Sequence, residues 1–254
     1  MTTRLKWACA LLAIETAALV GFGHTAGAAD TIAIAADHVF IPQGFDNNDA
    51  PEMVLDGEMP SSCYQVRPAR VQMVSGNEIT VQQLADVDHD ALCAQMLVPY
   101  TTTLVLPTLA SGNYEVYFAD ARGGRRRVGS LPVAQAHQPT RDDRLYLPVT
   151  GASLQSAVTD PTTHLTHVAL KLRVLFTDSC MSFDHVEAPI SARHPRSPVV
   201  DVLPVMKVAT GECRPERRNE EITVRIAVPE VRGRTLFHIR SLAGKAVNLV
   251  EDIY

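Results

Sequence analysis

Three groups of residues carry chemistry in their types and spacing. The first is Asp46-Asn47-Asn48-Asp49, oxygen donors packed into four positions. Calcium is held by carboxylate and carboxamide oxygens gathered on a tight loop, so Asp46, Asn48 and Asp49 are candidate ligands. The glycine and glutamate that complete an EF-hand do not follow, and the same four residues suit a polar turn closed by Asx hydrogen bonds. The second group is His164 and His167, three apart in THLTH. Zinc or copper would need one or two more ligands brought in by the fold. The third is Arg122, Arg125, Arg126 and Arg127 around Gly123-Gly124. Arginines on a hairpin tip suit an anionic partner, such as lipid A, a surface polysaccharide or an acidic protein. The expectation is no cofactor, with calcium as the alternative.

Enzyme chemistry is not expected. GxSxG, HExxH, GxGxxG, the phosphate-loop lysine motif and CxxC are all absent from the sequence. Ser, His and Asp are plentiful, but no spacing among them singles out a triad. Asp86, Asp88 and Asp90 around His89 form an acidic patch that reads as a solvated loop.

Cys63, Cys93, Cys180 and Cys213 remain once the leader discussed below is removed. Cys63 and Cys93 are 30 residues apart, Cys180 and Cys213 are 33. In an oxidising compartment such cysteines pair. After each second cysteine the chain repeats an order of features. An apolar run ends in Pro107 or Pro229, a glycine follows at Gly112 or Gly233, then an alternating strand, then a turn at Gly123-Gly124 or Gly244. The repeat predicts a duplicated unit with one disulfide in each copy, Cys63–Cys93 and Cys180–Cys213. Closing a loop of this length contributes about 3–4 kcal/mol in the chain-entropy account.

The elements that must position these residues are strands. Val168, Leu170, Leu172, Val174 and Phe176 alternate with Lys171 and Arg173, and Ile222, Val224, Ile226 and Val228 alternate with Thr223 and Arg225. Period two with one charged face describes a sheet that is packed on one side and wet on the other. The 16 prolines and 14 glycines fall mostly between such runs. The reading is all-β: two tandem immunoglobulin-like antiparallel β-sandwich domains. The stretch from Gln83 to Gln95 reads as either a helical turn or a loop.

Residues 1–29 read as an export signal. Arg4 and Lys6 precede an apolar run over 7–23, interrupted by Glu15, and small residues at Gly27, Ala28 and Ala29 suit cleavage. The run is short for a membrane span, and no second apolar stretch of that length follows. The expected domains are 30–136 and 145–254, with 137–144 as a polar, proline-containing linker. From 23 Lys+Arg and 28 Asp+Glu, loss of Arg4, Lys6 and Glu15 leaves a formal charge of −6, which argues against nucleic acid as a partner.

Signal, disulfides and small sandwiches together point to a periplasmic or otherwise secreted, non-catalytic structural or binding module. Its partner would be a protein or cell-envelope component, with a second copy of the chain as a further candidate. In overall shape the mature chain resembles the two-domain periplasmic pilus chaperones, an export signal followed by two immunoglobulin-like domains. The resemblance implies an assembly-chaperone role as one alternative and transfers no residues. A periplasmic metal-binding protein using calcium, copper or zinc is the other.

Overall fold

The computed structural model describes residues 30–189 and 198–254, so the expected signal at 1–29 lies outside the described residues. These residues contain sixteen strands. The first half holds β1 (Asp30–Ile34), β2 (His38–Phe40), β3 (Phe45–Asp46), β4 (Glu52–Met59), β5 (Tyr64–Ser75), β6 (Glu78–Val87), β7 (Val98–Val105), β8 (Gly112–Ala119) and β9 (Arg125–Ala134). The second holds β10 (Val149–Asp160), β11 (Leu165–Asp178), β12 (Met181–Glu187), β13 (Val199–Val208), β14 (Pro215–Pro229), β15 (Gly233–Ser241) and β16 (Lys245–Ile253).

Each half is a sandwich of the same topology. Three strands form one layer, β2-β4-β7 or β10-β11-β14, and the other layer is built on four, β5-β6-β8-β9 or β12-β13-β15-β16, which in the first half is extended to six by β1 beside β6 and β3 beside β9. Most neighbours are antiparallel, but the middle pair of each set of four, β6–β8 and β13–β15, runs parallel. The all-β, two-sandwich expectation therefore stands, with a parallel pair at the middle of each half, and a second, β3–β9, at the edge of the first, where wholly antiparallel sheets were expected. The middle pair follows from connectivity. The chain leaves β6 for the other layer, forms β7 there, and returns as β8 in the original direction; β13, β14 and β15 do the same.

The duplication extends to the way each half begins. β1 pairs with the later part of β6, then the chain crosses to β2 in the other layer. In the second half Tyr146 bridges Val205 on β13, the Leu147 N–H reaches Pro204 O at 2.9 Å, and the Met206 N–H reaches Leu145 O at 2.8 Å. The chain then crosses into β10. Residues 145–147 thus hold the place that β1 holds in the first half.

The alternating runs face inward as their period requires. Val168, Leu170, Leu172, Val174 and Phe176 on β11 are buried together with Val224, Ile226, Phe237 and Ile239. The first core joins Met53, Leu55, Ile79, Val81, Val116, Phe118 and Leu131. Such burial is worth about 1.5–3 kcal/mol per large apolar side chain, against the entropy of ordering the chain. The stretch from Gln83 to Gln95 forms no helical turn. β6 continues through Val87 because Ala85 and Val87 keep the period-two burial, and a loop follows.

Both disulfides are the expected ones, with Cα–Cα distances of 5.3 Å for Cys63–Cys93 and 5.4 Å for Cys180–Cys213. They sit in equivalent places. Each ties the turn before the first strand of the set of four (β5 or β12) to the loop leaving its second strand (β6 or β13).

Candidate functional site

The two sandwiches meet along the faces of β4 and β15, and the meeting is polar at its edges. Asp56, buried on β4, takes a two-pronged hydrogen bond from Arg234 on β15: Nε to Oδ2 at 2.9 Å and Nη2 to Oδ1 at 3.0 Å. Thr101 Oγ1 donates to the same carboxylate at 2.6 Å. Glu52 lies 3.2 Å from Nδ1 of the fully buried His238 and accepts from Asn248 Nδ2 at 2.9 Å. Burial pushes the Glu52 carboxyl up, but the His238 hydrogen bond and charge, Asn248 and Arg240 together leave it below its ordinary value. Arg240 donates from Nη2 to Gly44 O at 2.8 Å and stacks 4.1 Å above the Phe45 ring. Between these polar groups lie Phe40, Val54 and Leu236, each with no exposed surface. An apolar patch ringed by charge pairs has the anatomy of a stable interface, although Nε2 of His238 lacks a hydrogen-bond partner.

The polar segment after β9 is bonded to both halves. Asn48 Nδ2 donates to Gln138 O and Thr140 O, while Asp142 accepts from the N–H groups of Ala243 and Gly244 at 2.7 and 2.8 Å. A groove of about 360 Å³ opens beside it, lined by Gly44, Asp143, Arg144, Tyr146 and Arg240 among others.

The second feature is the loop between β6 and β7. Cys93 pins it to Cys63, and its backbone is held further at three points. Ala94 N donates to Ser62 Oγ at 2.9 Å, Ser62 N to Ala94 O at 3.1 Å, and Asp88 Oδ1 caps the N–H groups of Asp90 and Ala91 at 3.0 and 3.2 Å. A loop tied this firmly nevertheless turns its apolar side chains outward: Leu92 is fully exposed, Met96 is 55% exposed and Leu97 62%. The equivalent loop of the second half, between β13 and β14, carries Thr210, Gly211, Glu212 and Arg214 at its exposed surface.

The residues singled out from sequence fall as follows. Asp46 and Asp49 are buried in a self-closed turn. Asp46 Oδ1 accepts from Asn48 N, and Asp49 Oδ2 accepts from Asp46 N, each at 3.1 Å. Burial raises the Asp49 carboxyl above its ordinary value, partly offset by the Asp46 N–H and by Arg240. The turn docks the segment after β9 through Asn48. His164 lies at a left-handed φ of 54° in the β10–β11 turn, 3.2 Å from Glu230, and His167 is exposed on β11. Among the described residues, three His, Cys, Asp or Glu donor atoms converge at Asp178, Cys180 and Cys213. The two sulfurs there are joined in the disulfide, which removes the thiolates a metal would need.

The four arginines are not one free patch. Arg125 pairs with Glu78 at 2.8 Å, Arg127 pairs with Glu115, and Arg126 donates to Ala36 O at 2.7 Å. Arg122 is exposed at the tip, where Asp120 accepts from its backbone N–H. Sequence reasoning missed Glu52, Asp56, Arg234, His238, Arg240 and Asn248. The available signal was charge lodged inside otherwise apolar runs, as in MVLDGEM and RTLFHIRS.

A family model described as the ORF11 beta-sandwich domain matches residues 53–128, which run from β4 into β9. That stretch is similar to the family and spans most of the first sandwich. No curated protein and no solved structure matches the chain.

Proposed function

We propose that this is an exported, non-catalytic binding module that engages a protein partner of the cell envelope through the loop Ala91–Leu97. The observation that carries the reading is the contrast between the two disulfide-pinned loops. A rigid loop that holds Leu92, Met96 and Leu97 in water gains nothing for the fold from doing so. An apolar tip of that kind seats in an apolar cleft of another protein, and methionine adapts to an imperfect fit. Asp88 and Asp90 at the base of the loop favour a cleft rimmed by Lys or Arg and oppose the anionic surface of a bilayer. Two disulfides, and the absence of any helix among the described residues long and apolar enough to cross a membrane, accord with export. The buried ionic side chains at the junction serve to hold the halves in one orientation, which suits a presenting scaffold.

A photo-crosslinking amino acid at Leu97, and separately at Glu212, tests this in the producing cell. The expected result is a discrete protein adduct from position 97 and none from 212. Equal adducts from both positions, or sedimentation of the purified chain with anionic vesicles and no protein adduct, would overturn it. N-terminal sequencing of the mature chain should find a start between residues 28 and 30; a chain still beginning at Met1 would remove the export reading. The groove at the junction supports a second reading, an assembly chaperone that seats part of its client between the sandwiches. Adducts from Tyr146 in place of Leu97 would favour it.

A further inference from the structure

A concave site of about 400 Å³ lies on the first sandwich, walled by Gln72, Thr80, Gln82, Arg125 and the chain at Ala119 and Gly123. It is separate from the loop and from the junction, and stands or falls independently of both. These residues come from neighbouring strands: Gln72 from β5, Thr80 and Gln82 from β6, and Arg125 from β9 beyond β8. Two irregularities flank them. The β5–β6 register passes from Val71–Val81 to Met73–Thr80, leaving Gln72 as an extra residue. The β8–β9 register passes from Val116–Gly129 to Tyr117–Arg127, leaving Val128 extra. Bulges of this kind re-aim side chains and recur beside binding sites.

The floor of the site is polar yet withdrawn from water, while Gln72, Gly123 and Arg125 at its rim are exposed. Thr80 is 3% exposed and Gln82 9%. Thr80 Oγ1 has no hydrogen-bond partner, although a buried hydroxyl left without one costs free energy. Gln82 Oε1 accepts from Arg70 Nη2 at 3.0 Å, and the carboxamide still carries an –NH2 with two donors. Arg125 lies 4.0 Å above the Tyr117 ring and is paired with Glu78, which compensates its charge.

We propose that this site binds a neutral polyhydroxylated ligand, a saccharide. Sugar hydroxyls donate and accept at once, and the wall offers both: a hydroxyl, two carboxamides and the guanidinium of Arg125. A phosphate or carboxylate would call for uncompensated donors, and Glu78 compensates Arg125. An apolar ligand would call for a predominantly apolar lining.

The test is a proton–nitrogen NMR titration of the mature chain with methyl β-glucoside, methyl β-galactoside and N-acetylglucosamine at millimolar concentration, with inorganic phosphate as the anionic arm. The expected result is saturable shifts at the amides of Gln72, Thr80, Gln82 and Gly123 with at least one sugar and none with phosphate. T80V and Q82A should each weaken that binding roughly three- to tenfold. T80V should leave the unfolding midpoint unchanged or raised, since it removes an unsatisfied hydroxyl, so weakened binding there cannot be attributed to misfolding. No shifts with any of the three sugars, shifts with phosphate instead, or sugar binding unaltered in T80V would overturn the proposal.

Discussion

The two disulfide loops occupy the same place in the same topology and close chain segments of nearly equal length, yet their surfaces are opposite in character. The first exposes Leu92, Met96 and Leu97; the second exposes Thr210, Glu212 and Arg214. The scaffold therefore makes no demand for apolar residues at this position, because the second copy folds without them. What the fold demands is the staple. The difference separates what the two halves share, a pinned loop, from what the first alone carries, an apolar surface on it.

The sharpest test of that separation is to remove each staple in turn. C63A/C93A and C180A/C213A should each lower unfolding free energy by about 3–4 kcal/mol in denaturant titrations. They should differ in binding: the first releases the apolar loop and abolishes the position-97 adduct, while the second leaves it. Equal loss of the adduct would break the comparison. Next in size is R234A, which strips Asp56 of its two-pronged partner. Loss of one member of a buried pair costs about 3–5 kcal/mol, and the partial exposure of Arg234 reduces this to about 2 kcal/mol. Spin labels on the two loops should then show a broadened distance distribution.

Acid should act on the junction through Glu52. Its folded value lies below 4.5, so its stabilising contribution is full above about pH 4.5 and is lost as pH falls through the lowered value. Asp49 acts in the opposite sense. Its folded value lies above 3.8, so its contribution is present below that pH and lost as pH rises through the raised value. E52Q should flatten the acid limb of stability, as followed by denaturant midpoints from pH 6 down to pH 3. The smallest stability effect belongs to L92S/L97S, within about 0.5 kcal/mol of the parent, with loss of the adduct.

The sandwiches were legible wherever a strand has one wet face. On β11 and β14 the period-two pattern, with charges on one side, could hardly be read otherwise, and parallel spacing in the two copies was enough to pair the cysteines. The junction was not legible, for a physical reason. Arg234, His238 and Arg240 alternate with apolar neighbours on β15 as water-facing residues would, but the face they share with Leu236 is turned toward the first sandwich. A single sequence shows alternation without showing what lies opposite. The arginine hairpin misled in the same way. Its charges are adjacent in sequence, whereas Glu78 and Glu115, which neutralise two of them, come from β6 and β8. The polar site was half visible: Thr80 and Gln82 alternate correctly with Ile79 and Val81, but only the strand order brings Gln72 and Arg125 beside them.

The junction also sets an order of events. Its bonds link residues 178 to 197 positions apart: Arg234 with Asp56, Asn248 with Glu52, Arg240 with Gln43. Contacts so distant wait on the loops between them to close. During synthesis the first sandwich emerges long before β15 does, and it must wait with Phe40 and Val54 uncovered and Asp56 lacking its arginine. Any chain truncated ahead of Gly233 would be left in that state, its first disulfide within reach but its interface bare. β15 and β16 thus act as a cover for the first sandwich, and a chain that has made them differs in exposed apolar surface from one that has not.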